Sequence, residues 1–335
     1  MDAAGVGMAV LSLSGPGVQV EPDTAVAIKM ARLANDQLAE KVATRPDRYA
    51  GFAHLAMQDA KAAADELERC VRELGFVGAM VNGQTNGIYL DDARYDVFWE
   101  RMQALDVPLY LHPGDSFKLP YVLEGAPELL KPTWEWNIET SSHFLRLVFA
   151  GVFDRFPRLR IILGHMGETL PYVLWRLDSR AALIEGKRPL QLPPSTYLKR
   201  NLYVTTSGQC DDVPLLAAIA GIGAEHVLFS VDYPYEDSAV AGAFLDNAAI
   251  DEATREKVAR GNAVSLMRLR VWGRRIGLGR RRLAAPADFH LLAILHGLLH
   301  ARVEQAITAT PLALGLVERV IGLAQQRVLI FLAAG

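Results

Sequence analysis

Cysteine is nearly absent: Cys70 and Cys210 are the two in 335 residues. Two distant thiols make no disulfide framework and point to a reducing, cytoplasmic setting. Long apolar runs are missing as well. None reaches about 18 residues without a charge, so no membrane-spanning helix is expected. The opening Met1-Asp2-Ala3-Ala4-Gly5 has no basic region followed by an apolar stretch, so no signal peptide is expected. Nor does one sign of charge dominate. The formal net charge of −3 argues against a general nucleic-acid binder. What the chain does have is apolar residues, 51% of the total, enough to bury a sizeable core. The length fits one large α/β barrel or two ordinary domains.

The charge is unevenly spread. Residues 271–335 hold eight Arg, no Lys and three acidic residues (Asp288, Glu304, Glu318), a net +5. The preceding 270 residues then hold 27 basic and 35 acidic residues, or −8. A boundary near Arg270 is therefore expected, between a domain of residues 1–270 and an Arg-rich tail of 271–335.

Strand-like and helix-like segments alternate, which implies βα units and a parallel sheet. Strands are expected over Met8–Leu13, Tyr49–Ala56, Val77–Val81 and Asn201–Thr206, and at the runs ending on His112, His165 and Asp232. Helices are expected over Thr24–Thr44, Asp59–Leu74 (closed by Gly75), Asp91–Leu105, Glu139–Phe153, Gly167–Ile184, Val213–Gly221, Ser238–Asp246 and Asp251–Met267. That makes seven βα units. A closed (β/α)8 TIM-like barrel has eight strands, and the pattern places the eighth before Met8. The expectation is an α/β barrel of this type lacking its first βα unit, with an open seven-unit sheet as the alternative. From Val271 the tail shows helical periodicity, as in Leu291-Leu292 with Leu295, so a helical C-terminal tail is expected. His290, His296 and His300 include an i, i+4 pair that could bind a metal, but no H-E-x-x-H acid lies between them.

Three apolar runs end on a residue that can bind metal or move protons. Val107–Leu111 runs into His112-Pro113-Gly114-Asp115, Leu159–Gly164 into His165-Met166-Gly167-Glu168, and His226–Val231 into Asp232-Tyr233-Pro234. In a parallel barrel the carboxyl ends of the strands face one mouth. Pro113-Gly114 turns the chain just after His112 and presents the imidazole there, as a metal ligand or as a satisfied core histidine. Asp232 follows a strand that would otherwise be buried, and an unpaired buried carboxylate is costly unless a metal or a shared proton offsets it. A cap on the Tyr233-Pro234 turn is the plainer role. Glu168, expected in a first helical turn, is close enough to orient His165, the usual way to set up an acid or base near neutral pH. A helix cap would also explain it.

Aromatic residues cluster around these motifs: Phe117, Trp134, Trp136, Tyr233 and Tyr235. They could sandwich a flat ring, though ordinary packing explains such residues more often. His143 is expected to pack, or to touch another subunit, and His54 to lie inside a strand as a wall residue. Nothing marks Cys210 as a nucleophile.

In combination, Leu111-His112-Pro113, Leu163-Gly164-His165-Met166-Gly167-Glu168 and Phe229-Ser230-Val231-Asp232-Tyr233-Pro234 resemble the metal-dependent decarboxylase branch of the amidohydrolase superfamily. That branch includes γ-resorcylate, 2,3-dihydroxybenzoate, 5-carboxyvanillate and aminocarboxymuconate-semialdehyde decarboxylases. Val10–Gln19, Pro132-Thr133-Trp134-Glu135-Trp136 with Glu139-Thr140, and Gly261-Asn262-Ala263 support it, and the match spans about residues 1–268. The resemblance implies that His112 is a metal ligand, that Asp232 is a metal ligand and proton donor, and that His165 with Glu168 assists the acid–base chemistry or holds substrate. It implies a divalent metal, Mn or Zn, and no organic cofactor. The substrate would be a hydroxylated aromatic carboxylate such as a dihydroxybenzoate, and the assembly a homodimer or tetramer. The family's other ligands sit on a first strand in a Glu-x-His or His-x-His motif, which is not found before Met8. Family members also usually end near the helix that closes at about Leu269. A lactonase-type hydrolase on the same scaffold and a catalytically inactive fragment are the competing expectations.

Overall fold

The computed structural model describes residues 1–184, 189–269 and 328–334. The expected tail helix, with His290, His296 and His300, falls on residues outside these, as does the expected boundary at Arg270.

Six parallel strands run in sequence order around the sheet: β1 (Val6–Leu13), β2 (Tyr49–His54), β3 (Gly78–Asn82), β4 (Leu109–His112), β5 (Ile161–Leu163) and β6 (Leu202–Thr205). β7 (Val227–Leu228) pairs in parallel with β6, and β8 (Ser230–Tyr233) continues the same run of chain. β9 (Val328–Ala334) then pairs antiparallel with both β8 and β1, which joins the ends of the sheet. The result is a partial TIM-like barrel with seven parallel strand positions and an antiparallel eighth. The expectation of helix therefore does not hold for 328–334, where an unbroken apolar Val-Leu-Ile-Phe-Leu run suits a strand.

Helices α1 (Thr24–Thr44), α2 (Ala60–Arg72), α3 (Asp96–Leu105) and α4 (Glu135–Phe149) cover the outside of the early strands. Their starts follow from capping carboxylates. Asp23 accepts the N–H groups of Ala25 and Val26, and Asp59 that of Ala62. Gly75, at φ +72°, lets α2 end with the Phe76 N–H on the Cys70 carbonyl. After α4, Gly151 at φ +70° breaks the helix before α5 (Val152–Arg155), so the helix expected to reach Phe153 is two pieces starting four residues earlier.

A larger departure follows β5. The expected helix over Gly167–Ile184 is two 3-10 turns, His165–Gly167 and Leu170–Tyr172, with α6 beginning only at Leu174 and ending at Ala181. Left-handed backbone at His165, Met166, Gly167 and Glu168 is incompatible with a helix there. α7 (Pro194–Asn201), α8 (Asp212–Ile222) and α9 (Ser238–Asn247) follow. The expected Asp251–Met267 helix is α10 (Glu252–Glu256) and α11 (Asn262–Met267) joined by a π-turn.

Strand alternation sorts the core into two layers. Val10, Phe52, Met80, Tyr110, Ile162 and Leu228 face the barrel interior, where Leu266 and Met267 of α11 close it. Leu11, Ala53, Val81, Leu111, Leu163 and Val204 face outward onto Leu67, Phe98, Trp99 and Phe144 of the helices. Each fully buried large side chain contributes about 1.5–3 kcal/mol. The interior layer is mostly apolar, and His112 and Asp232 stand at the carboxyl ends of its strands.

Candidate metal centre and acid–base site

His112 is the last residue of β4 and pairs in register with Asn82 at the end of β3. Its Nδ1 lies 2.7 Å from the Pro113 carbonyl oxygen. With Nδ1–H donating to that oxygen, the lone pair of Nε2 is left for a ligand. Burial pushes the imidazole down to about 4, so it is neutral at physiological pH, as a metal ligand must be. The turn after it needs Gly114, since a Cβ there would stand 3.1 Å from the Asn82 carbonyl oxygen.

His165 stands just beyond β5. Its Nδ1 is 2.7 Å from Oε1 of Glu168, and its Nε2 is 3.8 Å from Oδ2 of Asp232 on β8. Burial opposes a charge on this ring, but hydrogen bonds and charge from Asp232 and Glu168 outweigh it and hold the imidazole up at about 10. It is thus an imidazolium between two carboxylates, and its charge helps keep His112 neutral. Glu168 is not in a helical first turn as expected. It sits at φ 56°, ψ −123°, six residues before α6, and acts on His165 by direct hydrogen bond rather than through a helix dipole.

The backbone is strained where the side chains converge. His165, Met166 and Glu168 have φ of 50°, 56° and 56°, and Asp232 has 63°. Such conformations cost about 1–3 kcal/mol each and persist where surrounding contacts enforce them. Gly208, at φ +62°, leaves room for the group: a Cβ there would be 3.0 Å from His165 Cδ2 and 3.6 Å from Asp232 Oδ2.

Of the aromatic residues, Trp136 flanks the site, with its ring 6.4 Å from that of His112 and its Nε1–H donated to Asp115. Phe117, Trp134, Tyr233 and Tyr235 are exposed, and Tyr235 meets the Ser14 hydroxyl at 3.1 Å. His143 packs in the core as expected, its Nε2 accepting the Leu90 N–H. His54 is not inside its strand but is the last residue of β2, and its Nε2 accepts the Val18 N–H. Cys210 is exposed.

Several residues at the mouth were given no role of their own by the sequence. Gln19 brackets Asn82, accepting its N–H at 2.7 Å and donating to its carbonyl at 3.0 Å. Glu139 is buried beside Gly83 and Gly114, and burial together with Glu135 and Asp115 pushes its carboxyl up to about 8. Tyr110 lies on the same strand face as His112, a placement that period-two alternation along β4 signals. Among the described residues no group of three or more His, Cys, Asp or Glu side chains could hold a metal ion.

A sequence model of the amidohydrolase family matches residues 2–269. The chain is 48% identical over 278 residues to a gamma-resorcylate decarboxylase of Polaromonas sp. strain JS666, covering 80% of this chain and 85% of that protein. It is 46% identical, with the same coverage, to a gamma-resorcylate decarboxylase of Rhizobium sp. strain MTP-10005. The structure of a dihydroxybenzoic acid decarboxylase from Polaromonas sp. JS666, with bound manganese and the inhibitor 2-nitroresorcinol, superposes with a TM-score of 0.77 over 80% of this chain and 84% of that one. A 5-carboxyvanillate decarboxylase from Sphingomonas paucimobilis, 40% identical, also gives 0.77, over 81% of each chain.

Proposed function

The chain belongs to the amidohydrolase family, in its metal-dependent decarboxylase branch, and we propose that it removes carbon dioxide non-oxidatively from a hydroxylated aromatic acid such as a dihydroxybenzoate. The observation that carries the proposal is the pairing of His165 with Asp232 at 3.8 Å, beside a neutral His112. That arrangement offers an acid, a fixed cation and a metal donor around one point.

The metal is the first question of fit. His112 offers an imidazole nitrogen whose other nitrogen is locked, and Asp232 offers a carboxylate. Both donor types suit Mn or Zn. In this reading the two make up part of a coordination shell. A divalent ion held there would bind the substrate carboxylate and an adjacent phenolic oxygen and fix the ring. The residues do the rest. Asp232 delivers a proton to the ring carbon that bears the carboxylate. The carbon–carbon bond then breaks, its electron pair restores the aromatic ring, and carbon dioxide leaves. His165, cationic and oriented by Glu168, holds the anionic substrate; once the product has left, it passes a proton to Asp232 and takes one up from solvent, which supplies the proton that each turnover consumes. Trp136 supplies a flat apolar wall beside His112.

Exposed Tyr121 and Val122 on one loop and Trp175 on α6 provide apolar surface for the homodimer or tetramer that belongs to this reading. The test is incubation with Mn or Zn and a set of dihydroxybenzoates, following carbon dioxide and the phenol product. Lactone opening without carbon dioxide would overturn it in favour of a hydrolase. One observation favours a second reading, a fold that does not turn over: among the described residues no group of three or more His, Cys, Asp or Glu could hold a metal ion. Stoichiometric, tightly held metal would exclude it.

A further inference from the structure

Beneath the mouth, three hydroxyls from the β4 and β6 region converge on a turn that its own backbone disfavours. Tyr110 lies two residues before His112 and faces the barrel interior, where its phenol interacts with the hydroxyls of Thr205 and Ser207. Thr205 Oγ1 and Ser207 Oγ are 2.8 Å apart. Ser207 Oγ in turn accepts the backbone N–H of His165 at 3.3 Å. All three side chains are buried. Gly164 completes the fit, because a Cβ there would stand 2.6 Å from the Tyr110 oxygen and 3.2 Å from Ser207 Oγ. The junction between β5 and the His165 turn therefore lies directly against the hydroxyls.

The turn's own ties are two backbone hydrogen bonds and the His165–Glu168 side-chain bond. The turn places three non-glycine residues in left-handed backbone. Its internal backbone bonds run from Gly167 N–H to the Gly164 carbonyl, 2.7 Å, and from Glu168 N–H to the His165 carbonyl, 3.1 Å. Strain of this kind survives only where neighbours over-determine the conformation. Phe, Val and Ala would fill the same interior space without burying three hydroxyls, whose desolvation is unfavourable unless each is satisfied.

We propose that Tyr110, Thr205 and Ser207 form a hydroxyl brace that positions the His165 turn and thereby aims its imidazole at Asp232. They are positioning residues. Ser207 acts through the His165 amide, and Tyr110 and Thr205 fix the direction of the Ser207 hydroxyl. The use made of His165 rests on the decarboxylase reading, whereas the brace rests on the geometry of the turn.

The test compares Tyr110→Phe and Ser207→Ala with the unaltered chain by backbone hydrogen exchange, read by mass spectrometry on a peptide spanning 164–168, without metal or substrate. Exchange of that peptide is expected to quicken about tenfold, the equivalent of one lost hydrogen bond. Peptides from β2 and β3 should keep their rates. The double variant should go little beyond the larger single effect, because both changes cut one network. Thr205→Ser, which keeps the hydroxyl, should exchange as the unaltered chain does. In metal-loaded protein that turns over a dihydroxybenzoate, both variants should lose about tenfold in kcat with KM within about twofold, the pattern of misplaced machinery rather than lost binding. Unchanged exchange at 164–168 in both variants, or a rise shared by the whole barrel, would overturn the brace. Absence of carbon dioxide release in every sample would count against the proposed reaction alone, since the exchange result does not depend on it.

Discussion

His165 and Asp232 come from different strands and meet at 3.8 Å, Nε2 to Oδ2, with the carboxylate on a residue in left-handed backbone. The contact ties the cation of the site to its acid. Asp232→Asn keeps the shape and leaves a side chain that can neither carry the carboxylate charge nor deliver a proton in its place. It is expected to lower kcat for decarboxylation by about 10²–10⁴-fold, the usual worth of a positioned acid, with an unchanged far-ultraviolet circular dichroism spectrum. Activity within a few-fold of the unaltered chain would remove Asp232 from the chemistry.

Glu168→Gln deletes one of the two carboxylates that hold His165 up at about 10. The raised value means that the imidazolium is present below it and lost as pH rises through it. Without the Glu168 charge this loss should come about 1–3 pH units lower. The basic limb of the kcat profile should move down accordingly, while the acidic limb stays in place. A basic limb that does not move would show that His165 is not the group titrating there.

Metal binding should depend on His112 and not on His143. Mn titrated calorimetrically into chelator-treated protein should bind at one site, and His112→Ala should weaken it by at least about 100-fold, the upper end of what even outer partners of a ligand contribute. His143→Gln should leave the affinity unchanged, because that ring accepts a backbone N–H inside the core. Equal losses in both variants would point to a general effect on folding.

Two buried histidines, His54 and His143, contribute to the acid limit of the fold, alongside His112. Burial pushes His54 down to about 4 and His143 to about 3 from an ordinary 6.5, and each accepts a backbone N–H that protonation would displace. The unfolded chain takes up these protons below 6.5 and the folded chain does not, so stability falls as pH drops from 6.5 towards 4. For two groups the slope is at most about 2.7 kcal/mol per pH unit. His165 acts in the opposite sense, its contribution being lost as pH rises from 6.5 towards 10. Urea midpoints at pH 4.5, 5.5 and 7 check this, and a flat series would contradict it.

The parallel strands and the first helices were legible because their signals are local. Alternating apolar runs, capping Asp23 and Asp59, and a closing Gly75 all act within a few residues. So were His112, His165 and Asp232 as strand-end residues, since a polar side chain after a buried strand stands out. The helix expected from Gly167 starts only at Leu174, because the left-handed backbone that delays it is held by Ser207 and Tyr110, which are remote in sequence. Glu139 and Gln19 counted only towards the family resemblance, without a role, for the same reason. A carboxylate on a helix and an amide in a loop look like surface residues until the fold buries them. The strand at 328–334 was hidden because an apolar run of that length is ambiguous between strand and helix until a sheet edge selects one.

The loop after β1 is fastened at three points, through Val18 to His54, through Gln19 to Asn82 and Thr85, and by Gln58 to the carbonyls of Val18 and Glu21. That flank of the mouth behaves as masonry. The opposite flank, between Phe117 and Trp134, is a string of short 3-10 turns with Tyr121 and Val122 facing outward. The rim is thus braced by long-range hydrogen bonds after β1 and by short local turns in the segment that leads to Trp136.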